Sequence, residues 1–380
     1  MSTLDCGPES HPNPDLHVAA DLRQGWNRPE NRRHGFHNLH LIFRRSLMIR
    51  SRRILRLQVT GDAALARVED KLGLSQNHGF SALVVAEEGR ILLARAAPDF
   101  ALDRPHSIQS VTKMHLHLIA GMLIGAGLLD LEATAGRYLP GLGSGYHSAR
   151  IRDLLDMNLA NDFSEDYSNP AADCYREEEA LGWRLPPDGQ PEMTLHDFAC
   201  SITGGDLTNR TGYADYKSAN TDVLTLITAR LCNLPDCLTQ ICDAAGFQGA
   251  LHISQSPEGL PAFAGGACLS ALDLARFGLL FARQGAGISG GTVGSPAFTQ
   301  ACRKATLPPL SRSRPHQRYA GHLMTDGTRI GHAGYGGQYL MVDPDRGRVA
   351  LYLGVLENDP GYDEAFMAGV VKSLEALISA

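Results

Sequence analysis

The stretch HSIQSVTKMHLHLIAGMLIGAGLLDLEATAGRYLPGL, residues 106–142, decides how this chain is read. Leu118 to Ile124 is apolar apart from Gly121, which predicts a helix buried on most sides. Ser110 and Lys113 stand at its head, three residues apart and on one helical face, with Cβ atoms about 5–6 Å from each other. A serine hydroxyl becomes a useful nucleophile only when a neighbouring base takes its proton. A lysine does this as the free amine, so the reading expects a lowered Lys113 pKa, through burial and the positive end of the helix dipole. The spacing alone is common by chance. An N-capping Ser110 and a Lys113 that snorkels to the surface would account for it as well.

Upstream, ALARVEDKLGL (64–74) reads as a helix, and FSALVVAEEGRILLARA (80–96) reads as a hairpin turning at Glu87-Glu88-Gly89-Arg90. Downstream the chain looks helical to about Phe247, with helical periodicity in IRDLLDM (151–157) and YKSANTDVLTLITARLC (216–232). ALDLARFGLLFARQG (271–285) is an amphipathic helix ending at Gly285. β signals return after about 318, with an Asp-Gly hairpin turn at 326–327 and a second hairpin at Asp343-Pro344-Asp345. A helix from Asp363 closes the chain. The order predicts an α+β fold, an antiparallel sheet flanked by helices with an inserted all-α lobe. Residues 61–105 and 256–380 form the α/β lobe and 106–255 the mainly helical one. Residues 1–60 form an N-terminal extension packed on the body. Its first 35 or so residues are expected to be irregular, and Leu39, Phe43 and Leu47 to share one face of a short helix.

Composition narrows the function classes. With 35 basic and 41 acidic residues the chain carries −6, so no overall basic field draws it to nucleic acid. Arg44, Arg45, Arg50, Arg52, Arg53 and Arg56 invite a nucleic-acid or anionic-membrane reading, but a solvated face paired with the acidic surplus explains them more simply. The start lacks a basic-then-apolar leader, and no apolar run approaches 18 residues; a cytoplasmic protein without a membrane span is expected. Eight scattered cysteines (Cys6, Cys174, Cys200, Cys232, Cys237, Cys242, Cys268, Cys302) read as free thiols, and no metal site or cofactor is expected.

Two further stretches bear on Ser110. Tyr216-Lys217-Ser218-Ala219-Asn220 opens a helix, and a phenol beside Ser110 and Lys113 is able to relay a proton. A half-buried structural tyrosine is the plain alternative. In Gly331-His332-Ala333-Gly334-Tyr335-Gly336-Gly337-Gln338 the glycines allow close backbone approach, and the Tyr335 N–H, joined by that of Ser110, suits an oxyanion. A Gly-rich turn with a surface histidine is the alternative. The polar loop Asp162, Glu165, Asp166, Tyr167 is expected to border the cleft, with Tyr167 against substrate and an acidic residue free to meet an ammonium group, or else to be a solvated capping loop.

Together the three motifs resemble the active-site set of the serine β-lactamase and penicillin-binding superfamily: S-x-x-K, then Y-x-N or S-x-N, then K-T-G on an edge strand. The nearest likeness is to 6-aminohexanoate-dimer (nylon-oligomer) hydrolases, class C β-lactamases and family VIII carboxylesterases, over about residues 25–375. It includes YHSARIRDLLDMNLANDFSEDYSNP (146–170) and GWNRPENRRHGFHNL (25–39), the latter like the extension of the nylon-hydrolase branch. The resemblance implies catalysis by Ser110, Lys113 and Tyr216. It also implies substrate or oxyanion contacts from Tyr335, His332, Gly334, Ser218, Asn220 and Tyr167. Three departures stand out. Ser218 replaces the Asn of Y-x-N, His332 replaces the Lys of K-T-G, and Asn158-Leu159-Ala160 replaces Thr-Ser-Gly. A histidine, mostly neutral near pH 7, suits a penicillin carboxylate less well than a lysine. The implied activity is cleavage of a small ester or amide through an acyl-enzyme. Acyl transfer by the same intermediate and a non-catalytic binding protein are the alternatives, and a homodimer is left open.

Overall fold

The computed structural model describes residues 25–186 and 189–380, so Cys6 and most of the polar N-terminal stretch lie outside the described residues. Helix α1 (Pro29–Ile42) begins at a proline, whose fixed φ suits the first helical turn. Order therefore starts earlier than the composition suggests. Leu39 is buried in α1, but the helix stops before Phe43, and Leu47 lies in strand β1 (Ser46–Arg50). The reason is long-range. Residues 46–50 find a five-residue antiparallel partner at Ala250–Ser254, and that ladder overrides the helical spacing.

After β2 (Gln58–Val59), helix α2 (Ala63–Leu72) is capped by Asp62, which accepts from the N–H groups of Ala64 and Leu65, and stops at Gly73. The expected hairpin follows as β3 (Phe80–Glu87) and β4 (Arg90–Ala96), then β5 (Pro105–Ser107). The helical part holds α3 (Lys113–Gly125), α4 (Ala135–Tyr138), α5 (Ile151–Leu155), α6 (Asp173–Ala180), α7 (Leu195–Ser201), α8 (Ser218–Leu231) and α9 (Leu234–Ala245). Next come β6 (Ala250–Ser254), β7 (Ala267–Ser270), α10 (Ala271–Ala282) and α11 (Pro296–Arg303). The chain finishes with β8 (Arg318–Ala320), β9 (Leu323–Thr325), β10 (Ile330–Gly334), β11 (Gln338–Asp343), β12 (Arg348–Gly354) and α12 (Glu364–Ser379).

The eight-stranded sheet runs β2-β4-β3-β12-β11-β10-β9-β8, antiparallel except where β2 meets β4. Both chain ends build it, as the motif order implies. Side chains alternate along β12, so its two faces meet different helices. Val349 meets Gly278 of α10, whereas Tyr352 packs edge-on to Phe366 of α12. A smaller sheet, β1-β6-β7-β5, joins the extension to the body. Its strand β6 follows the helical stretch expected to end at about Phe247 and lies within the 106–255 lobe expected to be mainly helical. In the helical lobe, α8 is central: every side chain from Ser218 to Thr228 is buried, among helices α3, α5 and α7. One apolar cluster runs through both lobes, and a second forms where Trp26, Phe36, Leu39 and Ile42 dock the extension against Cys268 and Val355.

The arginine-rich segment is paired in part, and Arg50, Arg53 and Arg56 are exposed. Arg44 and Arg45 meet Glu192, the latter at 2.6 Å, and Arg52 lies 3.4 Å from Asp243. Among the described residues the seven cysteines are free, and no helix is long and apolar enough to cross a membrane.

Candidate active site

Ser110 sits on a tight turn (Gln109–Thr112) that delivers the chain from β5 into α3. Gln109 is in the left-handed region at φ 46°, uncommon for a residue with a side chain, and its amide is pinned to the Ser107 hydroxyl at 2.7 Å. This strained corner leaves Ser110 half-buried on the floor of a cleft of about 410 Å³. The next residues on the helix are fully buried, so Lys113 turns inward. Its Nζ donates to Ser110 Oγ (3.1 Å), Ser218 Oγ (3.1 Å) and the Ala264 carbonyl (2.6 Å).

Those three acceptors saturate an ammonium group, and the electrostatics agree. Burial is the largest influence and pulls the Lys113 pKa down, but Tyr216, Glu165 and Glu177 together outweigh it and hold it above the usual lysine range. The expectation of a lowered pKa is corrected here. Sequence showed the burial and placed Tyr216 beside Lys113, but it did not bring Glu165 and Glu177 to bear on it. Tyr216 lies with its ring centroid 5.1 Å from Lys113 Nζ. Its buried hydroxyl makes no well-formed hydrogen bond among the described residues. Burial raises its pKa, against the opposing pull of Lys113.

Ser218 is brought into the site. Its hydroxyl accepts from Lys113 and donates to Glu165 Oε1 at 2.7 Å, and its backbone N–H also reaches that carboxylate. Tyr167 donates to the same carboxylate at 2.5 Å and faces Tyr335 across the cleft, ring centroids 5.1 Å apart. Glu165 thus ties the loop to the head of α8. The sequence offered it only as one acid in a polar loop, and Glu165-x-Tyr167 was the available signal.

Asn220 is not part of the cleft. It is buried in α8, accepting from the Tyr146 hydroxyl at 2.9 Å, because two residues on from Ser218 a helix points elsewhere. His332 is also displaced from its expected role. It is fully buried in β10, with Nε2 2.9 Å from the Tyr319 hydroxyl and Nδ1 2.5 Å from the Ala333 carbonyl. Burial, reinforced by Lys113, holds its pKa well below the usual histidine value, so the ring is neutral. His332 and Ala333 point to opposite faces of β10, and the cleft is lined by Ala333 together with Gly334 at the strand's end and Tyr335 just beyond it.

Gly334 has a steric reason to be glycine. A Cβ there would fall 2.6 Å from the Ile108 carbonyl, so any side chain would push β10 away from the Ser110 turn. The N–H groups of Ser110 and Tyr335 have no partner among the described residues, the state an oxyanion pocket requires. The Tyr335 loop is held from behind by Arg32 of α1. This guanidinium, 1% exposed, donates to the carbonyls of Leu356 (2.7 Å), Asn358 (2.5 Å) and Asp359 (3.2 Å) and to that of Asn27 (2.8 Å). It also lies 5.6 Å over the Tyr335 ring. Gly361, at φ 61°, completes the fit, since a Cβ there would meet the Tyr335 hydroxyl at 2.1 Å. Sequence reasoning did not single out Arg32 among the arginines of the extension.

A buried amine between two hydroxyls, with a phenol above and two free N–H groups opposite, defines a serine hydrolase site on this fold. Residues 65–368 match the beta-lactamase family, and the chain belongs to it. A 6-aminohexanoate-dimer hydrolase of Paenarthrobacter ureafaciens is 29% identical over 307 residues, covering 77% of this chain and 76% of that protein. A Bacillus anthracis structure proposed to be such a hydrolase superposes with a TM-score of 0.77 at 16% identity, over 93% of this chain and 95% of that one. A family VIII carboxylesterase structure gives 0.58 at 12% identity, over 83% and 98%. These structural likenesses speak to the fold.

Proposed function

We propose that Ser110 is the nucleophile of an esterase or amidase with Lys113 and Tyr216 as its proton-transfer partners. Ser110 Oγ bonds to the carbonyl carbon and its proton passes to Lys113 in the free-amine form. The oxyanion rests on the N–H groups of Ser110 and Tyr335. The carbon–oxygen or carbon–nitrogen bond then breaks, and the leaving group takes a proton through Tyr216. Water cleaves the remaining acyl-enzyme. The observation that carries this reading is the 3.1 Å contact between Ser110 Oγ and the fully buried Lys113 Nζ on the floor of an open cleft.

The lining supports a substrate class. Glu165, Asp166 and Glu364 line the cleft, and Arg314, the one cationic wall group among the described residues, is tied to Glu364 at 2.9 Å. With His332 neutral and buried, the described residues offer no free cation to a penicillin carboxylate. A neutral or ammonium-bearing ester or amide fits better, and a linear amide with a free amino end, like the dimer in the relative's name, belongs to that class. The scattered free thiols favour a cytoplasmic setting.

The test is hydrolysis of p-nitrophenyl esters, short amino-terminal amides and penicillins by wild-type protein and Ser110→Ala. Esters and amides should turn over, penicillins poorly, and Ser110→Ala should lose about 10³-fold or more. Unchanged turnover in Ser110→Ala would end the proposal. Adding an alcohol or amine acceptor separates hydrolysis from acyl transfer.

A further inference from the structure

A second cavity shares Ser110 with the large cleft but not Tyr216. It measures about 40 Å³ and is lined by Gln109, Ser110, Ser218, Gly265 and Glu177 of α6, among others. Glu177 in turn does not reach the large cleft. A space of that size holds one or two waters and no acyl chain.

Glu177 is only 3% exposed, yet its Oε1 has no hydrogen-bond partner among the described residues. Asp222, one helical turn beyond Ser218, is 1% exposed and finds no donor for either carboxyl oxygen. The two carboxyls interact directly, and burial raises both pKa values; Asp222 raises that of Glu177 further, whereas the hydrogen bond with Glu177 pulls that of Asp222 the other way. One proton shared between them accounts for the arrangement. An apolar pair of the same volume would serve the core at least as well, so stability does not explain acids here. Other charged groups facing Glu177 are Lys113 of α3 and Glu165 of the preceding loop. Glu178, on the same helix, is tied to Arg184.

We infer that Glu177 is a catalytic residue of deacylation, holding a water in the small cavity and taking its proton as that water attacks the acyl carbon on Ser110. The inference rests on the acyl-enzyme reading above. The water oxygen bonds to the acyl carbon, its proton passes to Glu177, and the bond to Ser110 Oγ breaks. Oγ takes a proton from the Lys113–Tyr216 pair; as the acid product leaves, Glu177 releases its proton to solvent and the pair takes one back from solvent, so every group returns to its starting state. The work is thereby divided. Tyr216 serves the leaving group in the large cleft, and Glu177 serves the water in the small cavity, which adjoins the cleft at Ser110, Tyr167 and Tyr335.

Rapid mixing with a p-nitrophenyl ester tests this on Glu177→Gln, which keeps the side-chain volume. The burst of p-nitrophenol should keep its wild-type rate and amplitude. Steady turnover should fall about 100-fold, and intact mass should show an acyl adduct persisting on the variant. Glu177→Asp, which withdraws the carboxyl while keeping the acid, should show the same split in milder form and serves if the Gln variant does not fold. Equal slowing of burst and turnover, or wild-type turnover without adduct, would overturn the role of Glu177. Failure of wild-type protein to acylate at Ser110 would instead overturn the reading beneath it.

Discussion

The two walls beside Ser110 are built on opposite plans. On one, side chains saturate each other: Lys113 spends all three donors on Ser110, Ser218 and Ala264, and Ser218 passes the contact to Glu165. On the other, the active groups are bare backbone N–H groups, and the side chain that matters, Arg32, works from behind through carbonyls of residues 356–359. In the proposed mechanism the first wall supplies proton transfer and the second holds geometry. Damage to each should therefore look different.

The largest effect should come from the first wall. Lys113→Met removes the proposed proton acceptor and should lower kcat/KM for an activated ester by about 10³-fold. Steady-state kinetics on protein of native melting temperature measures it. Next is the second wall. Arg32→Met frees the loop that aims the Tyr335 N–H and should lower kcat by about 10²-fold, the loss expected for one oxyanion donor, with KM nearly unchanged. A rise in KM at constant kcat would show instead that Arg32 shapes ground-state binding. Gly361→Ala, which crowds the Tyr335 hydroxyl, should shift kcat the same way.

A pH profile sharpens the contrast further. Because the Lys113 pKa lies above the usual lysine range, the free amine forms only as pH climbs toward it. The kcat/KM of the wild type should therefore rise with pH on the alkaline side until the protein itself fails. A plateau already at pH 7 would mean that substrate binding empties the lysine, or that another base acts. The smallest effect belongs to His332. Its ring is sealed in β10, so His332→Gln should change kcat/KM by no more than about threefold, while losing roughly 1 kcal/mol of stability with the Tyr319 bond.

The same contrast explains what the sequence disclosed. That Ser110, Lys113 and Tyr216 come together was legible because the proposed chemistry depends on residue type at short spacing along helices. The hairpins at 87–90 and 343–345 are legible because turn residues announce themselves. Arg32, Glu177 and Asp222 matter through partners far away in the chain, and nothing local marks them. Asn220 was misplaced for a related reason. A motif position two residues off sits on another helical face, and Tyr146, not substrate, waits there. The extension misled through periodicity, because Leu47 answers to a strand some two hundred residues away.

The nucleophile itself can be located directly. Wild-type protein is mixed with an activated ester, quenched within the first turnovers, digested, and the acylated peptide sequenced by mass spectrometry. The account predicts one acyl group on the peptide containing Ser110, absent from Ser110→Ala. An acyl group on any other residue, or turnover by Ser110→Ala at the wild-type rate, would contradict it.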